Sequence, residues 1–184
     1  LAKNDVAKKF GIRTGQVLWE ARQQCPGLIC VPAHYDRYLH FSAQAREIYT
    51  SYTDQVEPFG LDECWLDVTG STGLFGDGPA IADDIRARIR RELGLTVSVG
   101  VSYNKVFAKL GSDMKKPDAT TVITPDNFRE TAWALPVSDL LYVGPATTRK
   151  LARFGVGTIG ALAECDVDFL YHLLGKNGVM LHRF

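Results

Sequence analysis

The chain has 184 residues, 21 Lys and Arg against 21 Asp and Glu, and a formal net charge of zero. With 46% hydrophobic and 23% charged residues it has the composition of a folded protein long enough to bury a core, which excludes disorder. No apolar run reaches the roughly 18 residues that span a bilayer, which excludes a helical membrane protein, and neutrality taken alone argues against a nucleic-acid binder, since such domains usually carry a basic excess.

Asn4 is placed to cap a short helix through Phe10, with Gly11 just past its end. A second helix is predicted from Thr14 to Gln24, stopped by Pro26-Gly27, followed by a short buried strand at Leu28–Val31. Tyr38, Phe41, Ala45, Ile48 and Tyr52 recur at helical spacing and predict a long amphipathic helix over 34–52. The period then changes to that of strands: 55–59 and 63–68 form a hairpin around Gly60, and 69–73 is a loop. A helix is predicted from Pro79 to Leu93 with Ile81, Ile85 and Ile89 on one stripe, then a strand over 95–101, a helix over 104–115 and a strand over 120–123. Beyond Pro125 the pattern is helical to the end. Residues 55–124 therefore read as one β-β-α-β-α-β sheet of split βαβ type. The four cysteines (Cys25, Cys30, Cys64, Cys165) are scattered without a CxxC pair or a histidine at zinc-ligand spacing, so they read as reduced thiols of a cytoplasmic protein. The chain begins without Met and stops inside a helical pattern, and is expected to be a piece of a longer protein.

Three features carry chemistry. Asp62-Glu63 stands at the start of the second hairpin strand, where alternation places Asp62 on the apolar face of Cys64, Leu66 and Val68. A carboxylate there needs a partner, a metal ion or a raised pKa, and paired carboxylates suit a hard cation such as Mg²⁺. A solvated turn shows the same dipeptide, and the residues alone leave both readings open. Lys105, Lys109, Lys115 and Lys116 lie on one helix and its exit, opposed only by Asp113. Beside paired acids they suit a metal-bound polyphosphate, although lysines on a solvated helix face are common. Last, Leu141-Tyr142-Val143-Gly144-Pro145-Ala146-Thr147-Thr148-Arg149-Lys150-Leu151 followed by Gly155-Val156-Gly157-Thr158-Ile159 is the pattern of a helix-hairpin-helix. Its glycine turn lets backbone N–H groups approach a phosphate at a helix N-terminus, although an ordinary αα-hairpin with Gly caps shows the same turn.

Together, LDECWLDVTGS, VSVGVSYNKVFAKLGSDMKKPDATTVI and the helix-hairpin-helix resemble the Y-family (DinB/UmuC-like, ImpB/MucB/SamB) translesion DNA polymerases over essentially the whole chain. The resemblance implies an α+β fold, a partial right-hand polymerase. Its ferredoxin-like palm sheet (35–124) is flanked by small helical fingers (1–34) and a helical thumb (125–184). A first palm strand would precede the chain and a little finger would follow it. Asp62 and Glu63 would then be catalytic ligands of two Mg²⁺ ions, Lys8 and Lys116 would contact the incoming dNTP, and Gly144, Ala146, Thr147, Arg149 and Lys150 would hold a DNA primer-template. A sliding clamp would bind through the missing C-terminal region. Where the family usually has Tyr-Glu-Ala-Arg, this chain has Asp5-Val6-Ala7-Lys8, and Lys lacks the bidentate fork of Arg. The family's first catalytic Asp and its ribose-excluding aromatic would lie on the preceding strand, so residues 1–184 alone are expected to be catalytically incomplete. The alternative reading is a non-catalytic, polymerase-like scaffold that binds DNA or partners.

Overall fold

A computed structural model describes residues 2–184, which divide into a first unit ending at Arg37 and a second from Tyr38 to Phe184. In the first unit, α1 (Asp5–Lys9) is capped by Asn4, whose side chain accepts the N–H of Ala7 at 2.9 Å. Helix α2 runs only from Leu18 to Gln24. The predicted start at Thr14 fails because Gly15 sits at φ +78°, outside any α-helix, and makes a turn instead. The predicted strand at 28–31 does not form either: Ile29 is 87% exposed and, among the described residues, no strand in this unit pairs with it. A four-residue run without a ladder partner, followed by the donor-less Pro32, gains nothing from extended pairing.

Helix α3 (Tyr35–Thr50) leads into the second unit, as its periodicity predicts. Strands β1 (Val56–Phe59) and β2 (Glu63–Leu66) pair antiparallel, with Phe59 opposite Glu63 across a turn at Gly60, Leu61 and Asp62. The segment read as a loop holds a 3₁₀ turn (Thr69–Ser71) and the short α4 (Thr72–Phe75). Helix α5 (Gly78–Leu93) is capped by Asp77 and ended by left-handed Gly94; its Ile81, Ile85 and Ile89 are buried against Ile48, Tyr49 and Tyr52. Strand β3 (Val99–Ser102), α6 (Lys105–Met114) and β4 (Thr120–Ile123) follow. β3 is shorter than predicted because its partner β4 begins opposite Val99, leaving residues 95–98 without a ladder.

The α+β class holds, but the predicted single sheet does not. Two two-stranded sheets are present, β1–β2 antiparallel and β3–β4 parallel, and no backbone ladder joins β2 to β3 among the described residues. The C-terminal part is helical as predicted: α7 (Pro145–Ala152), α8 (Ile159–Ala163), α9 (Val167–Leu174) and α10 (Lys176–Arg183). Their core residues Leu151, Leu162, Leu170 and Leu181 join Phe107 and Leu110 of α6 and Ile123 of β4 in one cluster.

A close backbone approach in the second unit seats α6 on β3. A Cβ placed at Gly100 would lie 1.8 Å from the carbonyl oxygen of Ala108 and 2.6 Å from the amide nitrogen of Ser112; one at Gly111 would lie 3.2 Å from Gly100 Cα. Neither neighbour is a flexible side chain. Gly100→Ala should therefore destabilise the protein by about 3 kcal/mol or more, read as a fall in the urea midpoint. Gly73→Ala, where a Cβ meets open space, should leave it within about 0.5 kcal/mol.

Candidate active site

Asp62 is exposed within the hairpin turn and not part of β2, so the burial cost expected from strand alternation does not arise. Two α3 side chains one turn apart hold that turn. The Ser42 hydroxyl donates to the Leu61 carbonyl, and Arg46 donates to the Gly60 carbonyl at 3.0 Å. β2 then alternates as a strand must. Cys64 and Leu66 pack on the α3–α5 core, while Glu63 and Trp65 meet α6.

Three ties bind the hairpin to α6. The Trp65 indole N–H donates to the Lys105 carbonyl at 3.0 Å, Lys105 pairs with Glu57 and lies over the Trp65 ring, and Lys109 Nζ is 2.9 Å from Glu63 Oε1. Lys109 also pairs with Asp113 at 2.8 Å, and Asp113 with Lys116 at 2.7 Å. Burial works against the charge on Lys109, but hydrogen bonds to Asp113 and Glu63 outweigh it and hold the ammonium above its usual range. Burial likewise opposes ionisation of Asp113, and the hydrogen bonds and charges of Lys109 and Lys116 override it to hold the carboxyl below its usual range. Both groups stay charged near neutrality.

The segment that follows Lys116 is held from α5. The Lys116–Pro117 bond is cis and Asp118 adopts φ +53°. From α5, Arg86 donates to the Asp118 carboxylate at 3.2 Å, to the Asp118 carbonyl, to Thr120 at 3.2 Å and to Asp83 at 2.8 Å, and Arg90 pairs with Asp118 as well. The structure thus brings Asp62, Glu63 and Lys116 to one cleft of about 780 Å³, shared with Lys109 and Asp118 and floored by apolar side chains such as Ile81 and Val101. Lys105 is absorbed by Glu57 and Trp65. Lys8 and Asp5 lie on α1, in the first unit, both exposed.

In the C-terminal part, Gly144 is the N-cap of α7, with Pro145 at the first helical position. Gly144, Ala146, Arg149 and Lys150 are exposed and Thr147 is half-buried, while Val143 and Leu151 anchor the turn in the core. The second turn is pinned by backbone bonds from Val137 N to Gly157 O and from Ile159 N to Leu135 O, at 2.9 and 3.0 Å. The geometry leaves the first N–H groups of α7 free of intrahelical partners, at the positive end of its dipole.

The model of the impB/mucB/samB family matches residues 1–113, more than half of the sequence. The chain belongs to that family. It is similar to the DNA polymerase IV of Acetivibrio thermocellus, at 62% identity over all of this chain and 46% of the relative. The DNA polymerase IV of Ralstonia nicotianae is 44% identical, over 97% of this chain and 50% of the relative. Among solved structures, DinB from Sulfolobus solfataricus superposes with a TM-score of 0.86 at 28% identity, covering 98% of this chain and 54% of that one. An insertion ternary complex of Dbh DNA polymerase gives the same TM-score at 28% identity, over 97% and 52%. The chain spans about half the length of the curated relatives it matches.

Within this impB/mucB/samB chain, Asp62 and Glu63, consecutive in sequence, both line the cleft, and two carboxylates are a donor set that fits a hard cation such as Mg²⁺. Among the described residues no third His, Cys, Asp or Glu joins them. Mg²⁺ sites that use one or two carboxylates and complete their shell with substrate phosphates have this form. The sequence singled out the two acids and Lys116, which line this cleft, but not Ser42, Arg46, Trp65, Arg86 and Asp118, whose contacts surround it. A signal existed for Ser42 and Arg46, which are spaced i, i+4, and for Trp65, two residues beyond Glu63. For Arg86 only the i, i+3 spacing to Asp83 was readable, not its tie to Asp118, 32 residues away.

Proposed function

We propose that this chain supplies the catalytic carboxylates and the nucleotide and DNA contacts of a template-directed DNA polymerase that copies past damaged bases, as part of a longer polypeptide. The observation that carries the reading is that Asp62 and Glu63 line one cleft with Lys116, which follows Glu63 by 53 residues. Family membership and relatives named DNA polymerase IV support it.

In this reading residues 1–34 are fingers, 35–124 palm and 125–184 thumb. Asp62 and Glu63 hold two Mg²⁺ ions, which supply activation of the primer hydroxyl and neutralisation of charge on the triphosphate. Lys116, presented by the Arg86–Asp118 clamp, binds and orients the dNTP phosphates, and Lys8 adds a second cation from the fingers. Asp5 stands beside Lys8 on α1, and the single point charge of Lys8 predicts a looser grip than an arginine fork gives. A first palm strand carrying a further acid would pair with the open edges of β2 and β3, and residues 1–184 alone would extend a primer slowly without it. Gly144, Ala146 and Thr147 offer backbone donors to a DNA phosphate, with Arg149 and Lys150 adjoining. Such contacts position the duplex without reading its sequence.

The second reading, a DNA-binding scaffold without catalysis, shares the α7 surface but has no use for both acids. Primer extension and DNA binding by the polypeptide that carries this sequence separate the two. Asp62→Asn and Glu63→Gln should each slow extension by about a hundredfold or more with primer-template affinity kept. The charge-reversal pair Arg149→Glu and Lys150→Glu should weaken binding on unrelated sequences alike and reduce the salt slope by about one for each phosphate no longer neutralised. Primer-template binding without any extension by the natural polypeptide would establish the scaffold, and unchanged extension by both acid variants would overturn the role given to Asp62 and Glu63.

A further inference from the structure

Glu63, Lys109, Asp113 and Lys116 form a ladder of alternating charge: Lys109 Nζ lies 2.9 Å from Glu63 Oε1 and 2.8 Å from Asp113 Oδ2, and Asp113 Oδ1 lies 2.7 Å from Lys116 Nζ. Its two ends are residues to which the proposed function gives work. Its two middle members have none so far. Lys109 is also the most enclosed of the four, its side chain 18% exposed against 38% for Glu63, 45% for Asp113 and 57% for Lys116.

We propose that Lys109 and Asp113 are positioning residues that tie Glu63 to Lys116, holding the metal-side carboxylate and the phosphate-side ammonium in one register. The proposal rests on the reading of Glu63 and Lys116 given above. Isolated surface ion pairs contribute little, and their value rises when several charges form a network. Here the inner pair is spaced i, i+4 on α6, the helix seated on β3 through Gly100 and Gly111, so its geometry follows the helix backbone. The arrangement also solves a problem of release. When Glu63 turns to a cation, Lys109 keeps Asp113, and when Lys116 turns to a phosphate, Asp113 keeps Lys109. Neither event strands a half-buried charge, which would otherwise be costly. Until then the ladder restrains two rotamer-rich side chains near the positions they use, which lowers the ordering cost of binding.

The test is a double-mutant cycle on nucleotide affinity, measured with Mg²⁺ and an unreactive dNTP analogue bound to the polypeptide that carries this sequence, together with its primer-template. Lys116→Ala should weaken affinity about tenfold. Asp113→Asn should weaken it about threefold in the natural background and leave it unchanged in the Lys116→Ala background. Independently, the Lys109 ammonium should give an exchange-protected NMR signal that survives addition of Mg²⁺ and disappears in Asp113→Asn. An equal effect of Asp113→Asn in both backgrounds, or in neither, while Lys116→Ala still weakens binding, overturns the ladder and leaves the phosphate site standing. No effect of Lys116→Ala overturns the phosphate site and the ladder with it. Unaltered melting temperatures of the variants show that folding is not the cause.

Discussion

The second unit depends on a contact between two backbones. β3 and α6 touch where Gly100 meets the turn from Ala108 to Ser112, with no room for even a methyl group between them. Burying backbone against backbone fixes the height and rotation of α6 more tightly than interdigitated side chains would, because no rotamer can absorb a shift. Lys105, Lys109 and Asp113 all ride on that helix. Through them α6 holds the far side of the β1–β2 hairpin, and α3 holds its turn through Ser42 and Arg46. The acidic pair is thus gripped by two helices while the carboxylate of Asp62 stays exposed. The exit of α6 is gripped again from α5 by Arg86. Rigid supports around an open polar mouth are what a site needs if its side chains are to meet charge without reorganising.

Neutrality looks different once the charge is divided along the chain. Residues 1–49 carry seven cations and four acids, residues 50–124 eight and eleven, and residues 125–184 six of each. The zero total is a balance between a basic N-terminal segment and an acidic middle that contains the proposed metal ligands. Bound Mg²⁺ would offset part of that acidity. The C-terminal helices present Arg149 and Lys150 next to free N–H groups, so the proposed phosphate contact would lean on backbone and dipole as much as on net charge. Zero net charge excludes a uniformly basic DNA binder, and this chain is not built as one.

Much of this was legible in the sequence because its determinants are local. Asn4, Asp77 and Asn104 each accept an N–H three residues ahead, and such caps need no tertiary information. The stripe of Ile81, Ile85 and Ile89 marked the buried face of α5 correctly. What was not legible depends on distant partners. β3 begins where β4 allows and not where the apolar run begins, the expected continuous sheet is split, and the run at Leu28 finds no strand to join. The site divides in the same way: the acids and Lys116 stand out as residue types, whereas Arg46 and Arg86 matter only through carbonyls and carboxylates that the fold brings to them.

The central claim is that the acidic pair and Lys116 converge on one metal-bound triphosphate. Its most direct test is the anomalous X-ray signal of Mn²⁺ in crystals of the polypeptide carrying this sequence, grown with primer-template and an unreactive dNTP analogue. The account predicts a peak at coordination distance from the carboxylates of Asp62 and Glu63 and from a triphosphate oxygen, with Lys116 Nζ hydrogen-bonded to the same triphosphate. Mn²⁺ away from both carboxylates, or a triphosphate bound out of reach of Lys116, would contradict it.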